Sequence, residues 1–166
     1  MKTEITLTIN GKQRKAQVEP RQSLADLLRE EMRLTATHLG CEHGVCGACT
    51  ILLNGEPARA CIALAITLDG SEVQTLEGLQ DDALMSILKE SFHEKHGLQC
   101  GFCTPGMLIS SHDLLTRKPG LDEGQIRIAM SGNLCRCTGY QGIVRSIKAA
   151  ADKWAEKAAA SEGVSA

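Results

Sequence analysis

The residues with the clearest chemistry in this sequence are its eight cysteines, which fall into two groups of four. The first cysteine group has the spacing C-x4-C-x2-C-x11-C and consists of Cys41, Cys46, Cys49 and Cys61. The second cysteine group has the spacing C-x2-C-x31-C-x-C and consists of Cys100, Cys103, Cys135 and Cys137. The first three positions of the first group have the plant-type spacing of a [2Fe–2S] site. Each group supplies the four thiolates that one such cluster requires.

Disulfides explain these cysteines poorly. The N-terminus Met1–Leu7 alternates polar and apolar residues, unlike the continuous apolar segment of a signal peptide, so a cytoplasmic location is expected. Cytosolic thiols are kept reduced, and eight cysteines in such a chain favour metal binding.

Three other uses of the cysteines compete with iron–sulfur clusters. Zinc suits the Cys100-x2-Cys103 pair, but C-x4-C-x2-C and C-x-C are poor zinc-binding spacings. A Rieske centre could use Cys41-Glu42-His43, yet no C-x2-H half-motif follows in the chain. Structural or redox-active thiols would leave both spacings as coincidences. Two [2Fe–2S] clusters are therefore the favoured interpretation.

The overall composition excludes other classes of protein. Lys and Arg number 18 against 20 Asp and Glu, and Phe, Tyr and Trp together number four. Such a chain offers neither a basic groove nor aromatic stacking for nucleic acid. Its apolar runs are too short for a transmembrane segment.

The residues around the first cysteine group predict a small α+β domain over residues 1–77. Ile5, Leu7 and Ile9 share one face of a strand, and Asn10-Gly11 predicts a hairpin turn. A helix capped by Ser23 and ending near Arg33 follows, and then the cysteine loop and further strands. This order of elements is typical of a β-grasp sheet of the plant-type ferredoxin-like kind.

The residues around the second cysteine group predict a helical domain over residues 78–158. Apolar residues change there to helical spacing, and four helices are expected, starting after Gly78, at Thr104, near Asp122 and near Gly139. Residues 159–166 are small or polar and predict a flexible tail.

The two cysteine groups place different demands on the backbone. Three ligands within nine residues require a tightly curled loop, for which Gly40, Gly44, Gly47 and Ala48 are suited. The two pairs of the second group precede predicted helices, whose free N–H groups favour an anionic cluster. Residues Thr104 and Gly139 are candidate donors to its sulfur atoms.

With both motifs described, the chain resembles the small iron–sulfur subunit of the molybdenum hydroxylases, which include xanthine dehydrogenase, aldehyde oxidoreductase and aerobic carbon monoxide dehydrogenase. The matching segments are residues 40–50 (GCEHGVCGACT), 99–107 (QCGFCTPGM) and 131–140 (SGNLCRCTGY). The resemblance covers about residues 3–155. Gly142 departs from the family, where Asn is common, without touching a ligand.

The resemblance implies an electron-transfer subunit of an oxidoreductase complex, with no substrate-converting site of its own. A large subunit would bind molybdopterin and hydroxylate the substrate. A medium FAD-binding subunit, or a cytochrome in its place, would accept the electrons. A heterotrimer or a dimer of heterotrimers is expected. The pterin could be the simple form or the cytosine dinucleotide form. The sequence of the first cysteine loop resembles that of subunits serving heteroaromatic degradation and so favours an N-heteroaromatic substrate weakly.

The resemblance also assigns residues near the pterin. Gln99 would hydrogen-bond the molybdopterin and the Cys137 region would approach it, whereas the competing interpretation of Gln99 is a solvated amide. A free-standing [2Fe–2S] shuttle or sensor is the alternative function, although a second cluster domain is superfluous for it. His43 is expected to have a structural role in its loop, and four histidines are expected to lie away from the cysteines: His38, His93, His96 and His112.

Overall fold

The N-terminal half forms a mixed five-stranded sheet in a computed structural model that describes residues 2–162, with side chains for residues 2–160. In chain order, the strands are β1 (Thr3–Ile9), β2 (Lys12–Val18), β3 (Thr50–Leu53), β4 (Glu56–Arg59) and β5 (Glu72–Gln74). Their spatial order is β2-β1-β5-β3-β4, with β5 parallel to β1 and antiparallel to β3. The predicted hairpin is confirmed, since Asn10 and Gly11 both take positive φ in the turn between β1 and β2.

The predicted first helix is shorter and wider than a regular α-helix. Helix α1 (Leu24–Asp26) is capped by Ser23, whose hydroxyl accepts a 3.0 Å hydrogen bond from the Asp26 amide, and it continues as a π-helical turn (Leu27–Glu31). The Met32 amide bonds to the Leu27 carbonyl, five residues earlier, which widens the turn. This helical segment buries three leucines against one face of the sheet: Leu24, Leu27 and Leu28.

The C-terminal half is helical, as predicted. Its helices are α2 (Ala83–Glu94), α3 (Thr104–Arg117), α4 (Glu123–Ala129) and α5 (Gln141–Glu162). Asp82 caps α2, and Asp122 forms a capping box with Gln125 at the start of α4. The predicted tail is helical as far as Glu162, while residues 163–166 lie outside the described residues.

Each half has its own hydrophobic core, and α3 joins the two. The sheet core is aliphatic and includes Ile5, Leu7, Val18, Ile51 and Val73. The helical core is centred on side chains that include Leu88, Phe92, Met107, Ile126 and Ile147. Helix α3 packs against β3 and β4, so the halves are in direct contact. The α+β fold class is confirmed, and the domain boundary at residue 77 remains a prediction.

Among the described residues, no helix combines the length and the hydropathy that crossing a bilayer would require.

Candidate cluster sites

The first cysteine group lies at one end of the sheet. Its first three cysteines are in the loop before β3, and Cys61 follows β4. Cys49 is buried, whereas Cys41, Cys46 and Cys61 are half-buried. The Sγ atom of Cys41 accepts hydrogen bonds from the amides of His43 and Cys46, both at 3.4 Å. The loop therefore curls around sulfur and directs N–H groups at it, which is the arrangement expected for a cluster loop.

The thiols of this group differ in acidity. The amides of His43 and Cys46 lower the pKa of Cys41 to about 6, so its thiolate is present at neutral pH. Burial, reinforced by the neighbouring sulfurs of Cys61 and Cys46, raises the pKa of Cys49 to about 11. A buried thiol of this kind becomes a thiolate when a metal replaces its proton.

The glycines predicted to shape this loop do so in two ways. Gly44 and Gly47 take positive φ, at 77° and 75°, as does the non-glycine residue Glu42 at 55°. Gly40 instead gives room to Cys46, because a Cβ at this position would lie 3.2 Å from Cys46 Sγ. Ala48, in the same loop, is buried.

The second cysteine group lies where two loops of the helical half meet. Cys103 immediately precedes α3, and Cys137 lies four residues before the start of α5. The sulfur atoms of Cys100 and Cys137 are 3.4 Å apart, so the two loops converge at their exposed ends. The remaining two cysteines, Cys103 and Cys135, are half-buried below them.

The thiols of the second group also differ in pKa, because their surroundings differ. Burial, followed by the Cys135 sulfur, raises the pKa of Cys103 to about 12. Burial opposes ionisation of Cys135 too, but hydrogen bonds from the Thr138 hydroxyl, the Thr138 and Cys137 amides and the Cys103 thiol together lower the pKa of this thiol. The Thr138 hydroxyl donates to Cys135 Sγ at 3.1 Å, a contact that the sequence motif did not predict.

The donor sets suit iron–sulfur clusters. All eight cysteines are free thiols. A [2Fe–2S] cluster distributes its four thiolates over two irons. Beside Cys103, the buried hydroxyl of Thr104 has no hydrogen-bond partner among the described residues, and a cluster sulfur is the kind of acceptor that it lacks.

Gln99 and Cys137, expected to face the pterin, are both exposed on the surface of the second loop pair. Three apolar side chains near them in sequence are also exposed, with relative accessibilities of 40–49%: Leu98, Phe102 and Leu134. This surface is accessible to a partner molecule.

The expectation for His38 is wrong. Its ring stacks on Phe102 with a centroid distance of 4.7 Å, and its Nδ1 lies 2.7 Å from the Phe102 carbonyl oxygen. His38 therefore contacts the loop between Cys100 and Cys103. His93 and His96 are exposed, and His112 pairs with Asp82 at 3.0 Å. His43 contributes its amide to Cys41 and exposes its side chain.

Comparison with known proteins assigns both halves of the chain to cluster-binding families. A 2Fe-2S iron–sulfur cluster binding domain matches residues 7–75, and a [2Fe-2S] binding domain matches residues 75–148. Each match contains one of the two cysteine groups.

Similar proteins share most of their length with this chain. Caffeine dehydrogenase subunit gamma of Pseudomonas sp. (strain CBB1) is 54% identical over 147 residues, covering 87% of this chain and 88% of that protein. Nicotine 6-hydroxylase small subunit of Paenarthrobacter nicotinovorans is 50% identical over 146 residues, covering 88% of each chain.

A solved structure agrees with this assignment. A chain of quinoline 2-oxidoreductase from Pseudomonas putida 86 superposes with a TM-score of 0.85 at 48% identity, covering 91% of this chain and 94% of that chain. Sequence motifs, fold and relatives agree, and the chain belongs to the family of small [2Fe–2S] iron–sulfur subunits of the molybdenum hydroxylases.

Proposed function

We propose that this chain relays single electrons from a molybdenum–pterin centre, through two [2Fe–2S] clusters, to FAD or another acceptor in a partner. The observation that carries the proposal is the convergence of two complete four-cysteine groups in adjoining loops. Oxidation of a substrate at molybdenum releases two electrons, whereas a [2Fe–2S] cluster, when bound, carries one. Two one-electron sites in series allow the electrons to leave singly.

The ligand assignment follows the two groups. The N-terminal cluster would be held by Cys41, Cys46, Cys49 and Cys61, and the helical-domain cluster by Cys100, Cys103, Cys135 and Cys137. Hydrogen bonds from the chain to sulfur would raise the reduction potentials, because they stabilise the more negative reduced state. Candidate donors are the amides of His43 and Cys46 for the first group, and the hydroxyls of Thr104 and Thr138 for the second.

The second cysteine group would face the molybdopterin. Gln99 carries an amide that can donate to and accept from a pterin edge, and the exposed Cys137 lies on the same surface. A Gln99→Ala variant should slow the reduction of both clusters by substrate and leave the iron content unchanged. An unchanged rate of reduction would mean that the Gln99 side chain is a solvated amide that does not contact the pterin.

The partners are a large molybdopterin-binding subunit and a medium FAD-binding subunit, with a cytochrome as the other candidate acceptor. A heterotrimer or a dimer of heterotrimers in the cytoplasm fits this division of work. Substrate oxidation belongs to the large subunit. The names of the caffeine, nicotine and quinoline enzymes support an N-heteroaromatic substrate for the complex.

Purification of the native complex tests the relay. Each copy of the chain should contain about four irons and four inorganic sulfides, and reduction should produce two distinct [2Fe–2S] EPR signals. Molybdenum and a large polypeptide should copurify. One cluster type with two irons would refute the two-site assignment, and zinc without sulfide would indicate a zinc-stabilised module. Two clusters without molybdenum or a large polypeptide would favour a free-standing shuttle or sensor.

The substrate class has a separate test. Caffeine, nicotine, quinoline and a simple aldehyde are added anaerobically to the oxidised complex, and bleaching of the cluster absorbance is followed. Rapid bleaching by one of the N-heteroaromatic compounds supports the proposal. Rapid bleaching by the aldehyde alone would contradict it.

A further inference from the structure

The side chain of Asn133 is buried between the two halves of the molecule, two residues before Cys135. Only 4% of its surface is exposed. Its Nδ2 donates to the Gly47 carbonyl at 3.2 Å and to Thr50 Oγ1 at 3.4 Å, while its Oδ1 accepts from the Ser110 hydroxyl at 2.9 Å. Asn133 thus connects the loop of the first cysteine group to helix α3.

Gly47 lies between Cys46 and Cys49, where the first cysteine loop comes closest to residues 132 and 133. A Cβ there would lie 2.7 Å from both Asn133 Nδ2 and the Gly132 carbonyl oxygen. From the other side, a Cβ at Gly106 of α3 would collide with the Gly47 carbonyl oxygen. The backbone of the first loop is therefore packed directly against two segments of the helical half.

Arg59 makes a second connection, from the end of β4. Its Nη2 donates to the Gly132 carbonyl at 2.6 Å, and its Nη1 donates to Thr50 Oγ1. The guanidinium group is planar and holds several donors in a fixed geometry, so it sets the direction of both bonds. The side chains of Arg59 and Asn133 both bond to Thr50, and both fix the segment of residues 132–134 against the N-terminal half.

A third hydrogen bond joins residues 132–134 to the N-terminal half, and we call this set of contacts the junction. The Leu134 amide donates to the Cys46 carbonyl at 2.8 Å. Gly132, Asn133 and Leu134 are consecutive and end at Cys135, and each bonds to the N-terminal half. The separation between Cys46 and Cys135 is thereby set by hydrogen bonds that involve none of the cysteine sulfur atoms.

We infer that Asn133 and Arg59 are positioning residues that hold the two cysteine loops at a fixed separation and so set the electronic communication between the clusters. This inference rests on the proposed function, because it requires both groups to bind clusters. Electron tunnelling falls steeply with distance, and the magnetic dipole interaction between two reduced clusters falls as the inverse cube of their separation. Both quantities respond to small movements of the junction.

The test uses the purified complex with Asn133→Asp and Asn133→Ala variants. Asn133→Asp keeps the size and the Ser110 bond, but it turns an oxygen toward the Gly47 carbonyl in place of the N–H donor. Cluster–cluster interaction is measured at low temperature with both clusters reduced, as EPR line splitting or as enhanced spin relaxation. We expect the interaction to weaken and electron transfer between the clusters, followed by stopped-flow absorbance, to slow. Iron and sulfide content should match the unmodified complex.

Ser111→Ala is the matched control. Ser111 is buried in the same helix beside Ser110, but its hydroxyl bonds to the Met107 carbonyl of its own helix at 2.7 Å. This variant should keep the cluster–cluster interaction of the unmodified complex, even if its thermal stability falls.

Arg59→Lys tests the same contacts from the side of the sheet. If the Asn133 variants lose a cluster, the inference is judged on the Arg59→Lys variant. Lysine keeps the positive charge but lacks the planar fork that joins Gly132 to Thr50. We expect the same weakening as for Asn133. Unchanged interaction and transfer rate in fully loaded variants would overturn the inference. Absence of two clusters from the unmodified complex would instead refute the proposed function.

Discussion

The backbone amide of Leu134 donates a 2.8 Å hydrogen bond to the carbonyl oxygen of Cys46. Leu134 directly precedes Cys135, so one hydrogen bond and short lengths of backbone separate a cysteine of the first group from a cysteine of the second. The two sites are thus neighbours in space, although Cys46 and Cys135 belong to different halves of the chain.

Single serine substitutions should remove one cluster and leave the other. Cys49→Ser removes a proposed ligand of the first cluster, and Cys103→Ser removes a proposed ligand of the second. Iron should fall from about four to about two per chain in each variant, with a different EPR signal lost in each case. Loss of the same signal from both variants would contradict the two-group assignment.

The thiols of the cluster-free chain should differ in their reactivity. The pKa of Cys41 is lowered to about 6, so its thiolate is present at neutral pH and is lost as the pH falls through that value. Cys49 and Cys103, with pKa values of about 11 and about 12, should remain protonated thiols. Iodoacetamide should label Cys41 before Cys49 and Cys103, as read by mass spectrometry. Equal labelling of all three, in a chain that retains its helical circular dichroism, would be inconsistent with this geometry.

Alanine at Gly106 should destabilise the protein. Replacing glycine by alanine in a helix interior normally raises the free energy of unfolding by up to about 1 kcal/mol. Here the added methyl group meets the Gly47 carbonyl, and this overpacking should cost about 2 kcal/mol net. Urea unfolding of the cluster-loaded chain measures the loss. Gly124→Ala, in the exposed first turn of α4, is the control and should lie within about 0.5 kcal/mol of the unmodified chain.

Replacing His38 should loosen the loop between Cys100 and Cys103. His38→Leu removes the 2.7 Å contact with the Phe102 carbonyl and the stacked ring. A loss of about 1 kcal/mol in the free energy of unfolding is expected. The cluster of the second group should also be lost faster to an iron chelator, as followed by its visible absorbance. His93→Leu, at an exposed position of α2, should leave this rate unchanged.

Features that depend on neighbouring residues were predictable from the sequence. The Asn10-Gly11 turn and the starts of α3 at Thr104 and of α4 near Asp122 follow from local backbone preferences, and the structure has all three. Thr104 does not cap α3, because Cys103 is its N-cap and no side chain caps the helix there. The grouping of the cysteines likewise follows from their spacing. The π-helical turn after α1 was not predictable, because one turn of i→i+5 hydrogen bonding leaves a side-chain pattern that is hard to distinguish from that of a regular helix over five residues.

The relationship between the two cysteine groups came only from the packed structure. The His38–Phe102 contact spans 64 residues, and the Asn133–Gly47 bond spans 86. No local pattern of residue types encodes such contacts, since they depend on how α3 packs on the sheet and on a backbone approach at Gly106 that only the absence of a side chain permits. The cysteine spacing therefore indicated which residues can bind clusters, whereas the distance between the two cysteine groups was decided by tertiary packing, because packing brings together backbone groups that are remote in the sequence.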